Sequence, residues 1–282
     1  MNIYDSITEI LRSTEKFYEG DNNILPSSLY NEGWMLRLVL DWFSKNRKYS
    51  DFDISFNKNA RWFSEGRLTT IFNKSDKGLG EGYTSVDGVY GNFTVGTQDE
   101  VAHNNVSVDK GKHKSIIRLD SCCQQFVVIE AKMFSDFSKG VSNCPQYNQV
   151  ARTLACMSYV LCKSKKDFQS VKKTAFYAFL PEKEINKKTI NLFKQKEIKK
   201  TVYDRLQKYK DHKSYSAKEK WYNDTFSPFV DNIPIKIIKW EKILEHIKTE
   251  DNSSYKVLND FYDKCRLYSG KEAISVDLKL ID

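Results

Sequence analysis

Two charged residues stand at the end of one of the most apolar runs in the chain. The run from 126 to 133 reads FVVIEAKM, and its β-branched and aromatic residues predict a strand. Alternation along a strand places Glu130 and Lys132 on the same face. Burying a charge costs several kcal/mol unless it is paired or holds a metal. Glu130 and Lys132 are therefore either a structural ion pair or part of a reactive site.

Hydrolysis of a phosphodiester is the chemistry that this pair could serve. That reaction needs Mg²⁺ or Mn²⁺ on oxygen ligands, a positioned water and positive charge near the developing phosphorane. Two aspartates could supply the second acid: Asp87 in TSVDGVYG, early in a predicted strand, and Asp120 in RLDSCC, in a predicted turn. Asp120 has an ordinary turn-forming role there. The pattern favours Asp87, with Asp120 as the alternative.

Polar residues that follow the predicted strand could contact a phosphate. The loop FSDFSKGVSN (134–143) offers Ser138, Lys139 and backbone N–H groups, although a plain connecting loop has the same composition. Gln149 and Arg152 are i, i+3 neighbours on the next predicted helix and could face the same end of the sheet. Hydrogen bonds at the rim of that helix are the alternative reading.

Hydrophobic periodicity predicts an α/β fold with a mixed central sheet between helices. The strongest helical patterns cover 27–45, where Ser27 and Ser28 offer N-caps, and 145–161, which begins at Pro145. Residues 54–72 indicate a mixture of helix and extended chain, and the glycine-rich stretch 74–82 indicates a loop. Strands are expected at 84–95, 115–119, 126–133, 174–180 and 233–240, with a polar hairpin at 96–114. Further helices are expected at 4–18, at 182–209 before a polar loop, and around Ile243 and Val257.

The length favours one globular unit over residues 1–282, with a core at about 27–181 and a helical and strand extension at about 182–282. The net charge of +8 permits a polyanionic partner. Between 182 and 220, lysines and arginines form either a solvated helical face or a phosphate-tracking surface. Six cysteines without a CxxC pair indicate reduced thiols. The absence of a long apolar run or a signal pattern favours a cytoplasmic protein that does not enter a membrane.

The chain resembles the PD-(D/E)xK nuclease superfamily, and most closely its uncharacterised bacterial members. The resemblance covers roughly residues 30–160 and depends on the order strand-Asp, strand-Glu-x-Lys, then a helix with Gln. The similar stretches are NEGWMLRLVLDW (31–42), RWFSEGRL (61–68), EGYTSVDGVYGNF (81–93), FVVIEAKMFSDFSKG (126–140) and YNQVARTLACM (147–157).

This resemblance implies a restriction-endonuclease-like core with extra terminal helices, and a set of site residues. In such a site Asp87 and Glu130 bind the metal, and the backbone carbonyl of Ala131 adds a ligand. Lys132 positions water or steadies charge, and Glu32 on the first core helix joins the metal ligands.

The chain departs from the superfamily pattern at two places. Val86 stands where a proline usually precedes the aspartate, and a long insertion separates the first and third predicted strands. The insertion leaves the choice between Asp87 and Asp120 open.

The sequence thus predicts a Mg²⁺-dependent or Mn²⁺-dependent nuclease acting on DNA, in a setting such as restriction, repair or phage defence. The alternative is a nucleic-acid-binding subunit that keeps the fold and cuts nothing without a partner, since no helix-turn-helix or zinc finger is recognisable. A homodimer or a multi-subunit assembly is compatible with both readings. A structural protein with an incidental ExK tripeptide is the third alternative.

Overall fold

Seven strands form one mixed sheet, and helices cover both of its faces. The computed structural model describes residues 25–47, 52–73, 76, 78–96, 115–138, 140–141 and 144–268. The strands are β1 (Arg61–Leu68), β2 (Thr84–Gly91), β3 (Phe93–Gly96), β4 (Ile116–Leu119), β5 (Gln125–Ala131), β6 (Lys173–Leu180) and β7 (Ile235–Lys239). Their spatial order is β3-β4-β1-β2-β5-β6-β7. The prediction of an α/β fold with a mixed sheet is confirmed.

The centre of the sheet combines antiparallel and parallel pairs. Strand β2 pairs antiparallel with both β1 and β5. Strand β5 pairs parallel with β6, and β6 pairs parallel with β7. All seven residues of β5 are buried, because it is a central strand covered on both faces.

The helices fall into two layers. Listed in chain order they are α1 (Pro26–Leu29), α2 (Glu32–Lys45), α3 (Gln149–Lys163), α4 (Lys187–Leu192), α5 (Gln195–Gln207), α6 (Tyr215–Trp221), a π-helix (Tyr222–Phe226), α7 (Ser227–Asn232), α8 (Trp240–Glu250) and α9 (Asn252–Tyr268). One core contains residues of α3 and α5 to α7, and the other contains residues of α2, α8 and α9. Phe126 and Val128 face the first core, while Val127 and Ile129 face the second, as strand alternation predicts.

The helix predicted at 27–45 is divided into α1 and α2, and the helix predicted from Pro145 begins later, at Gln149. Asparagine side chains cap α2 and α3. The Asn31 side chain accepts a hydrogen bond from the Trp34 N–H at 3.1 Å, so α2 follows Asn31 and not the predicted Ser27 or Ser28 cap. In the same way Asn148 accepts from the Ala151 N–H at 3.1 Å, and Pro145 lies in the turn before α3.

Three further predictions need correction. The strand expected at 84–95 is two strands, because Gly91 adopts a φ of 144° and turns the chain between β2 and β3. The described part of 54–72 contains β1 and no helix. The polar loop expected after Tyr209 is largely helical, since Trp221, Phe226 and Phe229 bury their rings against the first core. The helix predicted at 4–18 and most of the hairpin predicted at 96–114 lie outside the described residues.

All six cysteines are free thiols, in agreement with the prediction of reduced cysteines. In the part of the chain that the structure describes, no helix is both long enough and apolar enough to cross a membrane.

Candidate functional site

The pairing of β2 with β5 brings Asp87 and Glu130 side by side. The register pairs Gly88 with Ile129, so Asp87 and Glu130 are the next facing positions along the two antiparallel strands. There the Ala131 N–H donates to the Asp87 carboxylate at 2.8 Å. At this end of the β2–β5 pairing, the Ala131 N–H therefore bonds to the side chain of Asp87 and not to a backbone carbonyl of β2.

Glu130 is fully buried and is held by two side chains of α3. Gln149 Nε2 donates to one carboxylate oxygen at 2.7 Å, and Thr153 Oγ1 donates to the other at 2.9 Å. Gln149 and Thr153 are i, i+4 neighbours and therefore share a face of the helix. The helix fixes the orientation of Glu130.

Burial and the neighbouring Asp87 carboxylate raise the pKa of Glu130 well above its usual value of 4.5. The charge of Lys132 and the Thr153 hydroxyl act in the opposite direction. Two acids this close, one of them fully buried and the other partly exposed, favour a bound proton or a bound cation, because either relieves their repulsion.

Lys132 completes the group from the end of β5. Its Nζ lies 3.4 Å from Asp87 Oδ2 and 5.8 Å from the centre of the Phe137 ring. The backbone is fixed on both sides of the side chain: the Lys132 N–H donates to Phe179 O at 2.9 Å, and Trp240 Nε1 donates to Lys132 O at 3.1 Å. The lysine is held near both acids by a strand and by α8.

The alternative acid, Asp120, lies at the other end of β5. Its N–H donates to Asn92 O at 3.2 Å, and its carbonyl accepts from the Cys123 N–H at 3.0 Å, just before β5 begins. The seven residues of β5 span about 20 Å, so Asp120 is far from Glu130. The structure brings Asp87, and not Asp120, to the Glu-x-Lys end of the strand.

Glu32 lies at the first position of α2, in contact with a different part of the protein. Its charge raises the pKa of Cys265 on α9, an effect second to burial of that thiol. Within the described residues, no hydrogen bond or ion pair joins Glu32 to Asp87 or Glu130. The structure does not bring Glu32 to the other proposed ligands.

The four residues proposed to contact a phosphate differ in how the structure places them. Gln149 links Glu130 to the loop, since its Oε1 accepts from the Ser138 N–H at 3.2 Å. Ser138 contributes its backbone to that contact and has an exposed side chain. Lys139 lies outside the described residues. Arg152 lies near Glu81, whose pKa is raised by burial although the charges of Arg205 and Arg152 act in the opposite direction. The Nε of Arg152 is buried without a hydrogen-bond partner in the described structure.

The oxygen donors present suit magnesium better than zinc. Among the residues that the structure describes, no group of three or more His, Cys, Asp or Glu side chains could hold a metal. Zinc sites usually have three or four protein ligands that include His or Cys. Mg²⁺ is usually bound by one or two carboxylates, with water and substrate phosphate filling its other positions. Asp87 and Glu130 are such a pair, and Ala131 stands between Glu130 and Lys132.

Two features of this region were missed from the sequence. Thr153 holds Glu130 but lies among the apolar residues of α3, and only its i, i+4 spacing from Gln149 could have indicated the contact. Arg205 on α5 is fully buried, with its guanidinium 5.1 Å from the centre of the Phe72 ring and hydrogen-bonded to Leu79 O. It lay in a lysine-rich stretch whose pattern indicated exposed charge.

Comparisons with protein-family models, with curated proteins and with solved structures find no match to the chain.

Proposed function

We propose that the chain is a Mg²⁺-dependent nuclease that hydrolyses phosphodiester bonds in DNA, with a restriction-endonuclease-like core of the PD-(D/E)xK type. The observation that supports this is the group formed by Asp87, Glu130 and Lys132, in which two nearby carboxyls and an ammonium meet at the end of a buried strand. The net charge of +8 is compatible with a polyanionic substrate.

Each residue has a role in this proposal that follows from its contacts. Asp87 and Glu130 hold Mg²⁺, and the Ala131 carbonyl supplies a further oxygen. When bound, the ion lowers the pKa of a water and polarises the phosphate. Lys132 places a positive charge beside the acids and stabilises charge on the phosphorane. Gln149 orients Glu130 by bonding it to the backbone of the following loop.

The test compares the parent with Glu130→Gln, Lys132→Met and two matched controls. Asp120→Asn removes a carboxyl from the far end of β5, and Lys256→Met removes an exposed ammonium from α9. Each protein is incubated with supercoiled plasmid, single-stranded DNA and RNA in Mg²⁺, Mn²⁺ or EDTA. We expect metal-dependent DNA cleavage by the parent and both controls, with a loss of roughly 100-fold or more in the two site variants. Equal cleavage by all five proteins would indicate a contaminating nuclease and refute the assignment.

A second function is favoured by the contacts of Glu130. Both of its oxygens already accept hydrogen bonds, so the acid could serve as a purely structural group in a DNA-binding subunit that needs a protein partner to cut. This function predicts DNA binding by the parent without cleavage in any metal. It also predicts that Glu130→Gln binds DNA as the parent does.

A further inference from the structure

A basic turn joins α5 to α6 on the first-core side of the sheet. It contains three lysines with exposed side chains, Lys208, Lys210 and Lys213. Within the described part of the chain, none of their ammonium groups makes a hydrogen bond or an ion pair. Lysines that are not already paired can neutralise the phosphates of a bound nucleic acid.

Packed aromatic rings fix this turn beside the proposed nuclease site. Tyr209, within the turn, is fully buried, and its ring centre lies 5.5 Å from that of Phe72. The Phe72 ring centre lies 5.8 Å from that of Tyr147. Tyr147 stands two residues before Gln149, which bonds to the buried acid of the site. The turn is therefore connected to the acids through a short chain of rigid contacts.

The acids closest to the turn already have cationic partners. Asp76 Oδ2 lies 2.9 Å from Lys218 Nζ. The charge of the buried Arg205 acts on Glu81. In the turn itself, the three lysines outnumber the one acid, Asp211. The exposed surface of the turn therefore carries an excess of positive charge.

The surface on the other side of the sheet is weakly acidic at the same end of the strands. A cavity of about 440 Å³ opens there beside the end of β7 and the start of α8. Its charged lining comprises four acids and two lysines: Asp53, Glu182, Glu241, Glu245, Lys239 and Lys242. Both Asp53 and Glu182 have lysine partners, which leaves two glutamates against one lysine. Because negative charge repels DNA, the charge around the site favours approach from the α5–α6 turn.

The turn offers charge without an exposed aromatic ring. Tyr209 is buried, and the His212 ring is half-buried, with its Nδ1 2.6 Å from Ser214 Oγ. Proteins that hold single-stranded DNA stack its bases on aromatic side chains. Lysine instead acts on a phosphate as a point charge. The turn therefore suits the backbone of a duplex, whose bases are already stacked on one another.

We propose that the α5–α6 turn binds the phosphate backbone of duplex DNA through Lys208, Lys210 and Lys213, and that the duplex reaches the two acids from this side of the sheet. Contacts to phosphate position a duplex and carry no sequence information directly. The turn therefore supplies affinity and direction of approach, without sequence preference. This inference rests on the proposed function, because it names the form of DNA that the same site receives.

Binding is measured in EDTA, so that cleavage does not enter the result. Fluorescence anisotropy follows a labelled duplex of about 20 base pairs, and one of its strands alone, over a range of salt concentrations. The test variant combines Lys208→Gln, Lys210→Gln and Lys213→Gln. The control combines Lys242→Gln, Lys248→Gln and Lys256→Gln, which changes the net charge equally at exposed lysines of α8 and α9.

We expect the parent to bind the duplex more tightly than the single strand. The test variant should bind the duplex roughly ten-fold or more weakly at low salt, and the slope of log Kd against log salt should fall by about 3, one for each lost phosphate contact. The control variant should keep the parental slope. An equal loss in both variants, tighter binding of the single strand, or no duplex binding by the parent overturns the proposal.

A cleavage assay of the same proteins in Mg²⁺ distinguishes this inference from the proposed nuclease activity. If the parent binds duplex DNA through the three lysines and cuts it in no metal, the turn is confirmed and the nuclease assignment fails. If the parent cuts DNA and the test variant binds and cuts equally well, the nuclease assignment stands and the proposed role of the turn is refuted.

Discussion

The replacement Glu130→Gln should stabilise the metal-free protein at neutral pH. Glutamine keeps the size of the side chain and can still pair with Gln149 and Thr153, but it carries no charge. Since the folded-state pKa of Glu130 lies above its unfolded value of 4.5, the native state binds more protons than the unfolded state once the pH exceeds 4.5. Stability is therefore lost as the pH rises from 4.5 through the folded pKa, and the glutamine variant avoids that loss.

The size of the effect has an upper limit that does not depend on the folded pKa. Between pH 4.5 and pH 7 a single carboxyl can lose at most about 3 kcal/mol, at about 1.4 kcal/mol for each pH unit. Mg²⁺ acts in the opposite direction, because it binds the ionised acid and stabilises the folded state by mass action. We expect the parent to gain roughly 1–2 kcal/mol in 10 mM Mg²⁺ at pH 7.5, and the variant to gain much less.

Urea unfolding of the parent and Glu130→Gln at pH 5 and pH 7.5, each with EDTA or Mg²⁺, measures both effects. The expected result is a variant that is more stable than the parent in EDTA at pH 7.5, with a smaller difference at pH 5. A variant that is less stable than the parent at pH 7.5 would contradict the raised pKa of Glu130. An equal gain from Mg²⁺ in both proteins would show that Glu130 does not bind the metal.

Three further predictions concern other positions. Gly91→Ala should lower the free energy of unfolding by about 4 kcal/mol in a urea titration, because φ is 144° and a Cβ would lie 1.9 Å from Gln125 O; a change below 1 kcal/mol contradicts the geometry. Glu32→Gln should leave the Mg²⁺-induced rise in melting temperature unchanged, since the charge of Glu32 lies near Cys265 and not near the two acids. If Glu32→Gln lost as much of that rise as Glu130→Gln, Glu32 would be a metal ligand after all. Burial lowers the pKa of Lys173 to about 8 from 10.5, so between these pH values the unfolded state binds more protons than the folded state. The contribution of Lys173 to the free energy of unfolding therefore rises from pH 8 to 10.5, and Lys173→Gln should remove that rise. Free energies of unfolding that change in parallel with pH in the parent and the variant would refute this prediction.

The strands around the site were predictable because their patterns are local. The apolar run at 126–133 and the alternation of Glu130 with Ala131 follow from the sequence alone, and the structure has β5 over Gln125–Ala131. The choice of Asp87 over Asp120 rested on turn chemistry. It agrees with the observed geometry because Asp120 lies in the turn that precedes β5 and Asp87 lies in a strand paired with it.

Contacts between distant segments could not be read from local patterns. Only the i, i+4 spacing of Thr153 from Gln149 indicates the bond to Glu130, and no periodic signal indicates that Trp240 donates to the carbonyl of Lys132. The helices after Tyr209 were missed for a related reason. Their polar composition resembles a loop, and only packing of Trp221 and Phe226 against α3 and its neighbours makes them helical.

The bond from Trp240 to Lys132 has a consequence for synthesis of the chain. It joins positions 108 residues apart, and β7, which forms the edge of the sheet, immediately precedes Trp240. A ribosome that has made the first 181 residues has synthesised Asp87, Glu130 and Lys132 but not yet β7 or Trp240. The backbone of Lys132 therefore gains this support only after the C-terminal third has emerged and folded, whereas the contacts that hold Glu130 all lie in the first 181 residues. A nascent chain that is interrupted earlier has the contacts of both acids but lacks the bond that anchors the Lys132 carbonyl.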